Sequence, residues 1–161
     1  MGDSLLRGSE VPICRPDRES REVCCLLGAK VRDVARGCHN LSRAQTTIHW
    51  YRDTNDTSGQ NLGRIKEDYK ALRVQVESIG VQVIFASILP VRGKGAARNR
   101  RLMQINFWLH GWCHCEGFGF YDNKIFFDDN SLLGRDGIHL SRRGNGIFDS
   151  RLANLVRRAL N

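Results

Sequence analysis

Val81-Gln82-Val83-Ile84-Phe85-Ala86-Ser87-Ile88-Leu89, closed by Pro90, is the stretch that decides the fold. Its apolar residues run almost without a break instead of alternating with polar ones, as in a strand buried on both faces. Proline has no amide hydrogen and ends the ladder. A strand covered on both sides belongs to a parallel sheet, so helices are expected on either flank. Just upstream, Leu62, Ile65, Tyr69, Leu72, Val76 and Ile79 recur at steps of three and four, and Gly80 follows. That spacing predicts a helix over 62–79. Downstream, Leu102, Ile105, Leu109 and Trp112 mark a second helix, and Phe118-Gly119-Phe120-Tyr121 a short strand closed by Asp122. From Ser141, a good N-cap, a last helix turns Phe148, Leu152, Leu155 and Ala159 inward.

The pattern continues toward the N-terminus. Residues 21–28 (REVCCLLG) predict a buried strand, and 29–41 a helix with Val31, Val34, Ala35 and Leu41 on one side. Residues 46–52 (TTIHWYR) carry the β-branched and aromatic types of a strand, with His49 and Arg52 making it more polar. Strands alternating with helices give an α/β protein with a parallel sheet. At 161 residues the chain suits one domain spanning 1–161.

Composition narrows the class. The chain is 41% hydrophobic and 26% charged, close to globular averages, which excludes a disordered chain. No apolar run approaches the roughly 18–20 residues of a membrane span. Met1-Gly2-Asp3-Ser4-Leu5-Leu6-Arg7 lacks the basic-then-apolar plan of a signal peptide, so an intracellular setting, cytoplasmic or nuclear, is expected. The six cysteines, at 14, 24, 25, 38, 113 and 115, are then reduced thiols without zinc-site spacing. Cys113-His114-Cys115 is the one tight group, and neighbouring side chains on a helix or strand point apart, so no metal is expected there.

The net charge of +8 is concentrated. Arg92, Lys94, Arg98, Arg100 and Arg101 supply five of it within ten residues that hold no acid. Their plain reading is a solvated loop and helix start; their functional reading is a weak contact with nucleic acid or an anionic surface. Few aromatics interleave with them, so no base-stacking platform is indicated.

Four polar groups fall at predicted strand ends, where catalytic residues of such sheets sit. They are Gly2-Asp3-Ser4, Gly28, Asp53-Thr54-Asn55-Asp56 and Asp136-Gly137-Ile138-His139. In this order the chain resembles the GDSL, or SGNH, serine esterases and lipases. Ser4 in Gly2-Asp3-Ser4-Leu5 looks like the nucleophile block, Gly28 the second, Asn55 the third, and Asp136 with His139 the closing D-x-x-H block. More narrowly, LPVRGKGAARNRR (89–101), GFGFYD (117–122) and GRDGIHLS (134–141) resemble the esterase domain of LINE-type retrotransposons and its genomic copies.

The resemblance implies a three-layer α/β/α sandwich with a short parallel sheet, the flavodoxin-like SGNH hydrolase fold. It also implies an esterase cleaving small esters or lipid-like substrates through an acyl-enzyme. In that chemistry a serine hydroxyl needs a base, here His139, which Asp136 orients. The Ser4 and Gly28 amides and the Asn55 side chain would form the oxyanion hole. No cofactor is called for.

Two departures stand out. The family places a buried strand before the nucleophile, whereas only Met1, Gly2 and Asp3 precede Ser4, a reach of about 10 Å. A domain short of its first strand is the expectation. Asp53 stands where the third block has glycine; a carboxylate about 6 Å from an oxyanion, at an effective dielectric near 20, opposes it by ~3 kcal/mol. These departures, with the 92–101 cluster, favour a second reading: a catalytically inactive, basic, retroelement-derived module associated with nucleic acid.

Overall fold

A computed structural model describes residues 49–51, 61–79, 83–93 and 95–160. The expectations for residues 1–48, including the strand at 21–28 and the helix at 29–41, lie outside the described residues. Within them, a parallel three-stranded sheet holds the centre. β1 (His49–Tyr51) pairs with β2 (Val83–Ala86) in the register Trp50 to Ile84, and β2 with β3 (Gly119–Tyr121) in the register Phe85 to Phe120. Helix α1 (Leu62–Ile79) lies between β1 and β2 in sequence, and α2 (Ala96–Glu116) between β2 and β3. Beyond the sheet come a single turn α3 (Ile125–Asp128), a 3₁₀ turn (Asn130–Leu132) and α4 (Arg142–Leu160).

All four side chains of β2 are buried, and they divide by parity between two cores. Val83 and Phe85 face Ile65, Tyr69, Leu72 and Val76 of α1 and Leu102, Ile105 and Leu109 of α2. Ile84 and Ala86 face Phe148, Leu152 and Val156 of α4, with Phe126 and Leu132 from the short turns. Alternation of side chains along a strand makes this division. Each fully buried leucine or phenylalanine contributes ~1.5–3 kcal/mol relative to exposure. The result is helix on sheet on helix, as the sequence predicts. Aromatic rings fill the first core: Tyr69 meets Phe85 edge-on at 5.8 Å, and Trp108 stacks on Trp112 at 5.4 Å.

The helix over 62–79 is realised as predicted, its apolar stripe buried from Ile65 to Val76. Of the strand predicted over 81–89, residues 81 and 82 lie outside the described residues and Val83–Ala86 form the paired strand. Ser87 extends the ladder by one bond, its amide donating to the Tyr121 carbonyl at 2.9 Å. Ile88, Leu89 and Val91 stay buried, so hydropathy continues where pairing stops. Neither α3 nor the 3₁₀ turn is visible in periodicity, because three or four residues cannot display a helical period.

Ser141 caps α4 as predicted, its Oγ accepting from the Gly144 amide at 3.1 Å. At Gly144 the backbone of α4 comes close to that of the 3₁₀ turn. A Cβ there would lie 2.1 Å from the Leu132 carbonyl oxygen, whereas one at Gly146 would meet nothing within 4 Å. Gly144→Ala should therefore destabilise by ~1–3 kcal/mol, through backbone displacement. Gly146→Ala should stabilise by ~0.5–1 kcal/mol, through helix entropy. Urea unfolding of the two variants checks the opposite signs.

Candidate active site

Where β2 ends, side-chain amides take over from the sheet. Asn106 of α2 brackets Ile88, its Oδ1 accepting from the Ile88 amide at 2.7 Å and its Nδ2 donating to the Ile88 carbonyl at 2.8 Å. Asn99 Oδ1 accepts from the Val91 amide at 3.0 Å. On the other side, the buried Asn123 donates from Nδ2 to the Ser87 carbonyl and from its main chain to Ser87 Oγ, both at 2.7 Å. These bonds satisfy backbone groups that a buried, unpaired loop would leave costly. Sequence reading does not single out Ser87, Asn99, Asn106 or Asn123. The one signal available was an Asn three or four residues from an apolar position on a helix facing a strand end.

This loop meets the Asp136–His139 segment at Arg92, whose amide donates to the Gly137 carbonyl at 2.7 Å. The segment is a turn closed by an antiparallel bridge between Leu133 and Leu140. Inside it, the Gly134 amide donates to the His139 carbonyl at 2.7 Å and the Gly137 amide to the Gly134 carbonyl at 3.0 Å. Gly137 sits at φ 68°, and a Cβ there would fall 2.5 Å from the Arg92 carbonyl oxygen. Both left-handed backbone and close approach require glycine.

Asp136 turns back on this frame. Its Oδ1 accepts from the amides of Ile138 and His139, each at 3.0 Å, and its Oδ2 lies 2.5 Å from His139 Nδ1. The His139 ring bond first, then the two amide bonds, hold the Asp136 carboxyl down at about 2. With an ionised carboxylate facing it, Nδ1 carries the proton, and the neutral ring offers Nε2 as its acceptor. Nε2 has no hydrogen-bond partner among the described residues. The side chains are half exposed, 56% for His139 and 48% for Asp136, so hydrogen bonds, more than packing, define the pair. This arrangement can take a proton at Nε2 and stabilise the resulting imidazolium.

The other predicted site residues are distributed as follows. Ser4, Gly28, Asn55, the Asp53 beside it, and Lys94 lie outside the described residues. Asp136 and His139 are brought together. The remaining basic residues differ in setting. Arg92 donates from its guanidinium to the carbonyls of Gly134 at 2.8 Å and Asn130 at 3.4 Å. Arg98 is half-buried, while Arg100 and Arg101 are exposed on the first turns of α2. Two shallow cavities flank these elements. One, of about 360 Å³, runs along Pro90, Arg92, Gly95 and Asn99; the other, of about 310 Å³, is lined by Met103, Phe107, Phe120 and Phe127. Neither has Asp136 or His139 in its wall.

Cys113 and Cys115 diverge on α2: burial pushes the Cys113 thiol up to about 12, and Cys115 is exposed. Among the described residues no group of three metal-ligating side chains converges, and no helix is long and apolar enough to cross a membrane.

No family model and no curated protein matches the chain. Solved structures do. The chain is similar to a member of the lipolytic protein G-D-S-L family from Veillonella parvula, with 16% identity, 98% of this chain and 96% of that one covered, and a TM-score of 0.77. It is similar to the lipase/acylhydrolase from Enterococcus faecalis at 14% identity, with 98% and 93% covered and a TM-score of 0.72. The esterase domain of the ORF1 protein from the zebrafish ZfL2-1 retrotransposon shares 29% identity over 97% of this chain and 96% of its own, at a TM-score of 0.56. The structural neighbours are thus GDSL/SGNH lipolytic proteins, and the fold is that of the GDSL hydrolases.

The depressed Asp136 carboxyl links stability to acid. Its bonds favour the ionised form, so their contribution is complete above its ordinary value of 3.8 and is lost as pH falls toward about 2. Half exposure keeps that contribution at or below ~1 kcal/mol. Urea unfolding should show the wild type more stable than Asp136→Asn at neutral pH, with the difference closing as pH nears about 2.

Proposed function

We propose that this chain is an SGNH-type serine esterase, derived from a retroelement, that hydrolyses small carboxylic esters through an acyl-enzyme. The observation that carries the reading is the 2.5 Å contact between Asp136 Oδ2 and His139 Nδ1, in a turn hung from the loop that follows the central strand. The fold supports it, since its neighbours include GDSL esterases and acylhydrolases. The zebrafish domain supports the retroelement origin, being itself a retrotransposon esterase domain.

In the proposed reaction, His139 Nε2 takes the proton of Ser4 as Oγ attacks the ester carbonyl. Asp136 stays ionised and stabilises the imidazolium. The oxyanion is held by the amides of Ser4 and Gly28 and the side-chain amide of Asn55. Collapse breaks the C–O bond to the leaving alcohol, which receives the proton from Nε2. Water then adds by the same route, giving the acid and restoring Ser4. The carboxyl at about 2 keeps Asp136 charged throughout the working range, so the hydrogen bond to Nδ1 persists.

Short-chain p-nitrophenyl esters test the assignment. Ser4→Ala and His139→Ala should each lower kcat by about a thousandfold or more, and Asp136→Asn by about ten-thousandfold at the upper end. Equal rates for the parent and Ser4→Ala would sink the reading. Asp53→Gly should move the other way: relief of ~3 kcal/mol of opposition to the oxyanion raises kcat by up to about a hundredfold.

A further inference from the structure

Arg92 belongs to the basic run and is exposed, yet it is bonded to the neighbouring turn. Its main-chain amide holds the Gly137 carbonyl at 2.7 Å, while its guanidinium holds the Gly134 carbonyl at 2.8 Å and reaches the Asn130 carbonyl at 3.4 Å. Gly134 and Gly137 are the two ends of the tight turn that contains Asp136, since the Gly134 carbonyl also accepts from the Gly137 amide. One residue therefore grips both corners of the turn from outside. We propose that Arg92 is a positioning residue, holding the Asp136–His139 pair in register with the end of the central strand.

Three observations support this over a merely solvated arginine. First, Arg92 is itself fixed: Val91, just before it, is 1% exposed and its amide is bound by Asn99. Second, among the described residues the turn is held at its ends by the buried Leu133 and Leu140 and within itself by backbone bonds, with few side chains packed over its middle. Arg135, Asp136 and His139 are exposed, and between Leu133 and Leu140 only Ile138 packs on a core. Third, the two backbones cross so closely that a Cβ on Gly137 would strike the Arg92 carbonyl, so a shift at Arg92 is passed to the turn. A planar guanidinium addresses two carbonyls from a rigid fork, whereas a lysine ammonium carries its donors on one flexible point. Misplacement of a base by about an ångström can cost on the order of a hundredfold in rate.

The proposal rests on the esterase reading for its catalytic consequence and on geometry alone for its structural one, so the test reads both. Hydrogen–deuterium exchange followed by NMR is run on the full chain, Arg92→Ala and Arg92→Lys. In Arg92→Ala the amides of Gly134, Gly137, Ile138 and His139 should exchange at least about tenfold faster while those of α4 keep their rates. The Asp136 carboxyl should titrate upward from about 2 toward 3.8 as its bonds loosen. Arg92→Lys should fall between. In p-nitrophenyl ester hydrolysis, kcat should drop about tenfold or more with KM within about twofold, because the lost contact acts on the base and not on substrate binding.

Unchanged exchange in the turn overturns the proposal. So does acceleration spread equally through α4 in both variants, which would make Arg92 a general stabiliser. If exchange is localised but the parent hydrolyses no ester, the esterase reading falls while the positioning of the pair by Arg92 stands.

Discussion

A strand buried on both faces cannot leave its backbone unsatisfied at either end, and that constraint organises everything around β2. Val83 and Phe85 seal it against α1 and α2, Ile84 and Ala86 against α4. Water cannot reach the chain as it leaves the sheet, because Ile88, Leu89 and Val91 remain buried. Unmet amides and carbonyls there would each cost ~1–3 kcal/mol. The bonds must come from the protein, and side chains of three asparagines supply several of them. An asparagine offers both a donor and an acceptor in one planar group, which is how Asn106 brackets Ile88 from both sides.

This polar handover makes the loop after β2 rigid enough to carry something else. Ser87 and Asn123 tie the ends of β2 and β3 together in the interior. Asn99 fixes Val91, and the next residue, Arg92, meets the turn of Asp136 and His139. The pair is thus tied to the sheet through a series of hydrogen bonds, although its own side chains are half exposed. Packing could not do this, since an exposed histidine that must keep one nitrogen open cannot also be enclosed.

How much of this is legible in the sequence follows from the range of each interaction. The 62–79 helix is legible because its stripe of apolar residues repeats over five turns, and burial from Ile65 to Val76 matches that stripe. The two-sided burial of β2 is legible from its unbroken apolar run. Its C-terminal limit is not, since hydropathy reports burial, and Ile88, Leu89 and Val91 are buried beyond the paired residues. The Asp136–His139 contact is local, three residues apart, and the D-x-x-H spacing conveys it. Arg92 and Gly134 are 42 positions apart, and nothing in either residue announces the other.

The basic run shows why charge alone is a poor guide to role. Five cations within ten residues read as one electrostatic feature, but the chain bends through Gly93 and Gly95, both at positive φ, before α2 begins at Ala96. Arg92 falls on the loop side of that bend and spends its guanidinium on carbonyl oxygens. Arg100 and Arg101 fall on the helix side and face solvent. The run thus holds arginines in different settings: Arg100 and Arg101 exposed and Arg98 half-buried at the start of α2, and Arg92, also exposed, bonded to carbonyls of the turn. The Arg92 bond to the Gly134 carbonyl, at 2.8 Å, is a charge-assisted hydrogen bond to a neutral acceptor, and its strength depends on alignment. Sequence position groups Arg92 with the surface, and its hydrogen bonds group it with the turn of Asp136 and His139.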